Sequence, residues 1–189
     1  MKNICIFASG AGTNAERIIE HFKNSAIARV ALIISNRKDA GVLAIAKQHN
    51  IPSIVIDKKL FYETESLLQE LSNQKIDLIV LAGFMLLIPS YLVKAYPNKM
   101  VNIHPALLPN YGGKGMYGMH VHEAVLKNQE TQSGITIHYV NEQYDEGQII
   151  LQTTCSIDPT DTPETLAQKI HALEYENYAN VIERLLSFT

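Results

Sequence analysis

Short apolar runs alternate with longer stretches of helical character through the first hundred residues, and this alternation limits the possible folds more than any other feature. The runs at residues 31–34 and 78–81 are apolar throughout, which is typical of strands that helices cover on both sides. The predicted strand and helix pairs are residues 4–8 and 14–23, 30–35 and 40–49, 53–56 and 60–73, and 78–82 and 89–95. The pattern predicts the α/β class, with a Rossmann-like, mostly parallel sheet and helices on both faces.

The pattern changes after residue 130. Residues 135–140 alternate between apolar and polar, residues 141–147 are rich in turn formers, and residues 148–154 are strand-like again. We therefore expect an antiparallel addition of C-terminal strands, with Asp145 on the connecting loop. Start signals of a last helix, which runs to about residue 186, are Asp161, Thr162, Pro163 and Glu164. No linker or repeat interrupts residues 1–189, so a single domain is predicted.

Composition and charge exclude several classes of protein. With 47% hydrophobic and 19% charged residues among 189, the chain can bury one good core. A net charge of −3 without a basic stripe argues against nucleic acid as a partner and favours small-molecule substrates; a monomer or weak homodimer is expected. The N-terminus lacks a secretory signal, and no apolar run approaches the ~20 residues that span a bilayer. No membrane association and a cytoplasmic location are therefore expected.

Three side chains of different chemistry are predicted to meet near the end of a strand at residues 99–104. Asn102 and His104 lie two apart, so both point to the same face of an extended strand. The Asn102 amide can donate to an oxygen that gains negative charge, and His104 can move a proton near neutral pH. Asp145 is expected to raise the pKa of His104 and keep it charged. The set predicts acyl transfer without a covalent nucleophile, with a simple loop-capping pair as the alternative.

A glycine-rich turn at residues 9–15 follows the first predicted strand and opens a helix. Its glycines allow close approach, and the free N–H groups at the helix start form a cradle for an anion. The turn fits the Gly-x-Gly-x-x-Ala pattern of dinucleotide folds, but residues 35–37 lack the acid that would hold a ribose. Arg37 suits a 2′-phosphate instead, which leaves an NADP-linked oxidoreductase open. A tight turn capped by Thr13 or Asn14, without a ligand, is the third interpretation.

Four segments stand in a fixed order along the chain. They are Ser9-Gly10-x-Gly12-Thr13-Asn14, Leu81-Ala82-Gly83-Phe84-Met85, Asn102-Ile103-His104-Pro105-Ala106-Leu107-Leu108-Pro109 and Asp145-x-Gly147-x-Ile149-Ile150-Leu151-Gln152. Together they resemble phosphoribosylglycinamide formyltransferases, the folate-dependent enzymes of purine synthesis. The resemblance covers nearly the whole chain at the spacing of the family, and it implies the formyltransferase fold.

The resemblance also implies the substrates and the residues that hold them. It implies 10-formyltetrahydrofolate as co-substrate, the amine of 5′-phosphoribosylglycinamide as acceptor, and no metal. Gly12, Thr13 and Asn14 match the family's grip on the ribonucleotide phosphate, and Glu174 matches the carboxylate that holds the ribose. The implied folate-binding residues are Met85, Leu86, Leu87, Ile88, Asn102, Asn141, Glu142, Gln143, Tyr144 and Asp145.

The same resemblance gives Asn102, His104 and Asp145 catalytic roles, in agreement with the chemistry of their side chains. Asn102 and protonated His104 are expected to stabilise the oxyanion that forms when the amine attacks the formyl carbon. Asp145 is expected to keep His104 charged and oriented, and a bound water can relay the proton from the amine to the leaving nitrogen.

The chain departs from the commonest form of the family at three places. Leu86 stands where many members carry arginine, and residues 60–65 contain no arginine, so contacts to the folate tail are expected to differ. The segment at residues 111–118 is unusually rich in glycine, which predicts either a mobile lid, with Lys114 reaching a phosphate, or a flexible surface loop. Metal binding by the nearby histidines His120 and His122 is not expected, because residues two apart on a helix do not face each other.

Relatives within the same fold provide the nearest alternatives. Methionyl-tRNA formyltransferases resemble the Asn-x-His-Pro segment but carry an additional C-terminal domain, and formyltetrahydrofolate hydrolases carry an additional N-terminal one. The length of 189 residues, with a first strand at residue 3, favours the phosphoribosylglycinamide enzyme. A non-catalytic nucleotide-binding module remains open; it would bind phosphate through residues 12–14 and tolerate the loss of His104.

Overall fold

The computed structural model describes residues 1–187, and the last two residues of the predicted domain 1–189 lie outside this range. The strands are β1 (Lys2–Phe7), β2 (Ala28–Ser35), β3 (Ser53–Val55), β4 (Leu78–Leu81), β5 (Met100–His104), β6 (Gln132–Tyr139) and β7 (Ile149–Ser156). The helices are α1 (Thr13–Phe22), α2 (Gly41–Gln48), α3 (Lys58–Glu63), α4 (Ser66–Asn73), α5 (Ser90–Ala95), α6 (Met119–Lys127) and α7 (Pro163–Ser187). Among these helices of residues 1–187, none combines the length and apolar character needed to cross a membrane.

One seven-stranded sheet forms the centre of the molecule, in the order β3-β2-β1-β4-β5-β6-β7. Strands β1 to β5 run parallel, whereas β6 pairs antiparallel with β5 and β7 pairs antiparallel with β6. The predicted α/β class, with a mostly parallel sheet and an antiparallel C-terminal addition, is confirmed.

The strand order reverses between β1 and β4. The chain first builds outward from β1 to β2 and β3, and then crosses to the other side of β1, where β4 and β5 follow. At such a point, the loops that leave the carboxyl ends of two neighbouring strands diverge and open a crevice. The glycine-rich turn follows β1, and Gly83 follows β4. A ligand site is therefore expected at the ends of these two strands.

Alternate residues of the central strands pack into two separate hydrophobic cores. On β1, Ile4 and Ile6 pack on one face of the sheet with α1, α2, α6 and α7. Cys5 and Phe7 pack on the other face with α3, α4 and α5. All four side chains are fully buried, which explains why these strands read as apolar runs without alternation.

The single helix predicted at residues 60–73 is wrong, because α3 and α4 replace it. Thr64 has an extended backbone at the end of α3. Its hydroxyl donates to the carbonyl of Leu60 at 2.9 Å and accepts from the N–H of Ser66 at 3.4 Å. These local bonds compete with continuation of the helix. The other predicted bounds differ from the observed ones by at most three residues.

Two buried hydroxyl groups hold the segments that form the site. The hydroxyl of Tyr178 on α7 lies 2.8 Å from the carbonyl of Leu81 and 3.2 Å from that of Val101, so it bridges β4 and β5. The hydroxyl of Thr136 on β6 donates to the carbonyl of Ala106 at 2.7 Å and accepts from the N–H of Leu108 at 3.0 Å. The loop that follows His104 is therefore fixed to the sheet.

Candidate active site

A cavity of about 640 Å³ opens at the carboxyl ends of β1, β4 and β5, where the strand order reverses. This volume lies within the usual range of small-molecule sites. Its wall comes from the turn after β1, the loop after β4, the end of β5, the glycine-rich loop before α6, the start of α6, the loop with Tyr144 and Asp145, and α7. The lining includes residues from both groups predicted from the sequence, the anion cradle and the catalytic set.

The glycine-rich turn lines this cavity, with Gly12, Thr13 and Asn14 in its wall. Gly12 has a φ of 86°, and a Cβ at this position would lie 2.8 Å from Cα of Val42, so only glycine fits. Gly12 is also the N-cap of α1, and no side chain caps this helix. The interpretation of Thr13 or Asn14 as a helix cap is therefore wrong. The N–H groups of the first helical turn carry the partial positive charge of the helix dipole and suit an anion.

Glu174 on α7 lies beside the turn and is 5% exposed. One of its oxygens, Oε2, accepts from Nδ2 of Asn14 at 2.9 Å and lies 3.0 Å from Nδ1 of His171. This contact raises the pKa of His171, although burial acts in the opposite direction. Both Glu174 and His171 line the cavity. The wall there combines a carboxylate that suits sugar hydroxyls with an imidazole whose raised pKa favours its protonated form, which suits an anion.

Asn102, His104 and Asp145 meet at the end of β5. Nδ1 of His104 lies 3.5 Å from Oδ2 of Asp145, and Nδ2 of Asn102 lies 3.4 Å from Oδ1 of the same carboxylate. The N–H of Gly113 donates to Oδ2 at 2.9 Å. Asp145 itself has a φ of 56°, so its loop turns sharply to place the carboxylate between the other two side chains. The predicted juxtaposition of these three residues is confirmed.

The prediction that Asp145 raises the pKa of His104 above its ordinary value is wrong in net direction. Burial lowers this pKa and outweighs the raising effects of Asp145 and of the Tyr111 carbonyl. His104 is only 3% exposed, and desolvation penalises its charged form. For Asp145, burial acts to raise the pKa, but its contacts with His138, His104 and Gly113 together lower it. The site therefore holds an ionised carboxylate beside an imidazole that is neutral near pH 7.

His138 on β6 lies directly opposite Asn102 in the antiparallel pair. Its Nδ1 lies 2.8 Å from the carbonyl of Tyr139, so this nitrogen carries the proton, and Nε2 accepts from the Asn102 amide at 3.1 Å. This bond orients the Asn102 amide with its NH2 group, and not its oxygen, towards His138. The other amide hydrogen donates to Oδ1 of Asp145 over the longer distance of 3.4 Å. It must give up this long bond before it can donate to a substrate oxygen.

The residues expected at the folate divide into two groups. Met85, Tyr144, Asp145 and Asn102 line the cavity, and Met85 is 45% exposed. The others do not line this cavity, namely Leu86, Leu87, Ile88, Asn141, Glu142 and Gln143. Ile88 is buried in the core on the α3 side, and Leu86 packs against that core. An exposed, apolar Met85 in the cavity wall is the kind of surface that a flat aromatic ring covers.

Two further sequence hypotheses concern charged side chains. Arg37, the candidate for a 2′-phosphate, pairs with Asp39 through two hydrogen bonds of 3.1 and 2.7 Å and does not line the cavity. Lys114 does line it, in the glycine-rich loop. Within residues 1–187, no cluster of three His, Cys, Asp or Glu side chains is arranged to hold a metal ion.

Three polar groups of the site were not assigned to it from the sequence. His171 precedes Glu174 by three residues, and this helical spacing is a signal that would have found it. His122 lines the cavity, but at the sequence level it was considered only as a metal ligand. The N–H of Gly113 is a backbone donor to Asp145, and no side-chain pattern reveals such a group.

The chain is similar to known proteins over nearly its whole length. The model of the formyl transferase family matches residues 2–182. A chloroplastic phosphoribosylglycinamide formyltransferase of Arabidopsis thaliana is 39% identical over 96% of this chain, and the chain spans 64% of that relative's length. Phosphoribosylglycinamide formyltransferase of Bacillus subtilis is 38% identical, over 98% of this chain and 95% of the relative.

A solved structure extends this similarity to three dimensions. The crystal structure of phosphoribosylglycinamide formyltransferase from Bacillus halodurans superimposes with a TM-score of 0.89 at 41% sequence identity. The match covers 98% of this chain and 96% of that one.

Proposed function

The chain belongs to the formyl transferase family, and from this premise we propose that it transfers the formyl group of 10-formyltetrahydrofolate to the amine of 5′-phosphoribosylglycinamide in purine biosynthesis. Relatives named for this reaction match nearly the whole chain. We further propose that residues 1–189 act as a single formyltransferase domain.

The observation that carries the proposal is that one cavity joins an anion cradle to a proton-transfer centre. Gly12, Thr13 and Asn14 line this cavity, and so do Asn102, His104 and Asp145. We assign the phosphate of the ribonucleotide to the first group. Glu174, beside the cradle, is assigned to the ribose hydroxyls. The glycinamide amine then extends towards Asn102 and His104.

The folate is assigned to the part of the wall that contains Met85, Asn102, Tyr144 and Asp145. The exposed Met85 suits a flat ring. When bound there, the folate supplies the formyl group that the amine attacks. The segments that contain Leu86, Leu87, Ile88, Asn141, Glu142 and Gln143 flank this wall, and their assignment to folate stays a prediction.

Asn102 and Asp145 act on opposite charges in the proposed reaction. The Asn102 amide, oriented by His138, donates to the formyl oxygen as that oxygen becomes negative. Asp145 is ionised before the reaction, because its pKa is lowered. It stabilises positive charge on His104, whose Nδ1 lies 3.5 Å away.

His104 starts the reaction as a neutral imidazole. Its Nε2 donates to the carbonyl of Tyr111 at 2.7 Å, so Nδ1 is the nitrogen free to take a proton. The negative charge of the developing oxyanion adds to that of Asp145 and favours this proton uptake. The proton lost by the amine then passes through His104 and water to the leaving nitrogen.

An assay of the purified protein with 10-formyltetrahydrofolate, run with and without phosphoribosylglycinamide, tests the proposal. We expect turnover only with the ribonucleotide, and a loss of about 10³-fold in His104→Ala. The matched control is His120→Ala, whose side chain is 65% exposed and outside the cavity. Turnover without the ribonucleotide would indicate a hydrolase, and no turnover at all would refute the proposal. The cytoplasmic location and the monomeric or weakly dimeric state stay predictions.

A further inference from the structure

His122 is a buried polar residue of the cavity wall that the proposed reaction leaves without a role. It lies on α6, is 3% exposed, and lines the cavity. Its Nδ1 has no hydrogen-bond partner within residues 1–187. Two other buried side-chain atoms in this range also lack a partner, Nε2 of His49 and Oγ of Ser133, but neither residue lines the cavity. This nitrogen exposes less than 1 Å², and a buried nitrogen without a partner costs free energy, so a ligand group that reaches it relieves that cost.

His122 is a neutral imidazole that lies in the same cavity as Glu174 and His104. Burial lowers its pKa, His171 and His104 lower it further, and Glu174 acts in the opposite direction. The net effect is a neutral imidazole, which offers one N–H donor and one nitrogen acceptor. Glu174 and His104 line the same cavity as this ring, so His122 shares one cavity with the proposed ribose site and the reaction centre.

We propose that His122 hydrogen bonds to the amide of the glycinamide group and thereby selects the ribonucleotide substrate. The inference rests on the proposed function, because it needs a substrate that runs from the Gly12 turn to His104. The glycinamide amide lies between the ribose and the reacting amine of such a substrate. It offers a carbonyl acceptor and an N–H donor on opposite sides, and a neutral imidazole can meet the carbonyl with its N–H or the amide N–H with its other nitrogen.

Steady-state kinetics of the full chain test this assignment in three variants. His122→Leu removes both ring nitrogens and fills the space in the wall with an apolar side chain. His122→Asn and His122→Gln return a polar group near the positions of Nδ1 and Nε2, respectively. His120→Gln, on the same helix but exposed, is the matched control. Ribose 5-phosphate is the binding probe, because it carries the phosphate and ribose without the glycinamide.

The assignment makes different predictions for the three ligands. In His122→Leu, the KM for phosphoribosylglycinamide should rise about tenfold or more, as for the loss of one or two hydrogen bonds. The KM for 10-formyltetrahydrofolate and the inhibition constant of ribose 5-phosphate should change less than about twofold. Either His122→Asn or His122→Gln should recover most of the loss, and the better of the two identifies the nitrogen that binds.

Four results would overturn the assignment. An unchanged KM for the ribonucleotide in His122→Leu would remove His122 from substrate binding while the proposed function stands. An equal weakening of ribose 5-phosphate would place the effect on the ribose or on folding. If His122→Leu does not fold, His122→Asn and His122→Gln test the assignment instead. A normal KM for the ribonucleotide in both of these variants would contradict a specific hydrogen bond. Absence of transfer in the wild-type protein would refute the proposed function itself, and the assignment with it.

Discussion

Replacing Asp145 with asparagine removes the negative charge of the site while keeping nearly the same shape. Asp145 has a φ of 56°, a conformation that asparagine adopts more readily than most residues, so the loop should keep its path. The side-chain oxygen of asparagine can still accept from the N–H of Gly113, as the carboxylate does at 2.9 Å. An N–H donor faces each carboxylate oxygen, Asn102 at Oδ1 and Gly113 at Oδ2. The NH2 group of the new asparagine would face one of these donors, so one hydrogen bond is lost.

The expected loss of activity follows from the distance between Asp145 and His104. At 3.5 Å and an effective dielectric constant of about 20, a carboxylate stabilises a positive imidazole by about 5 kcal/mol. The amide dipole of asparagine replaces part of this stabilisation. Since about 1.4 kcal/mol corresponds to a factor of ten, we expect kcat to fall about 10³-fold. The KM for the ribonucleotide should change little, because His104 carries its charge only during the reaction.

Formyl transfer by Asp145→Asn, measured beside the exposed neighbour control Glu146→Gln, tests this expectation. Urea unfolding should show a loss of stability of about 1–3 kcal/mol for the lost hydrogen bond, which leaves the variant folded. A folded Asp145→Asn protein with kcat within tenfold of wild type would contradict the electrostatic role of the carboxylate. A large rise in the KM for the ribonucleotide with unchanged kcat would assign Asp145 to binding instead.

Two further predictions concern the end of the cavity near the glycine-rich turn. Gly12→Ala should lower the free energy of unfolding in urea by about 1–3 kcal/mol, because its φ is 86° and the added Cβ would lie 2.8 Å from Cα of Val42. The same variant should raise the KM for the ribonucleotide. A normal KM would contradict the proposed phosphate site. Glu174 raises the pKa of His171, so the stabilisation by this pair is fully present below about pH 6.5 and is lost as the pH rises through the raised value. In thermal melts, His171→Gln should therefore lower Tm more at pH 5.5 than at pH 9, and an equal difference at both pH values would exclude a protonated His171.

The fold was largely predictable because its signals are local. Apolar runs such as residues 78–81 indicate strands covered on both faces, and the alternating residues 135–140 indicate an antiparallel strand. The break between α3 and α4 was missed because it depends on the hydroxyl of Thr64, which can bond to the backbone in a helix or outside it.

The site was predictable to the extent that its residues have distinctive chemistry. Asn102 and His104 could be assigned because their spacing on a strand fixes their common face, and Asp145 because the strand pattern placed it on a nearby loop. The net direction of the His104 pKa was not predictable. It depends on the burial of a residue that is only 3% exposed, set against the raising effects of Asp145, the Tyr111 carbonyl and Glu174, and sequence spacing does not give the burial.

Residues close together in the chain specify the periodicity of the strands, the glycine at the start of α1 and the common face of Asn102 and His104. The tertiary structure decided which distant groups share one cavity. Glu174 contacts Asn14, 160 residues away in the chain, and His138 orients Asn102, 36 residues away. His122 lies in the cavity wall on α6, which is outside the four segments that resemble the family. Packing also set how much water reaches each of them, and the free energy of a buried charge depends on that exclusion of water as much as on its neighbours.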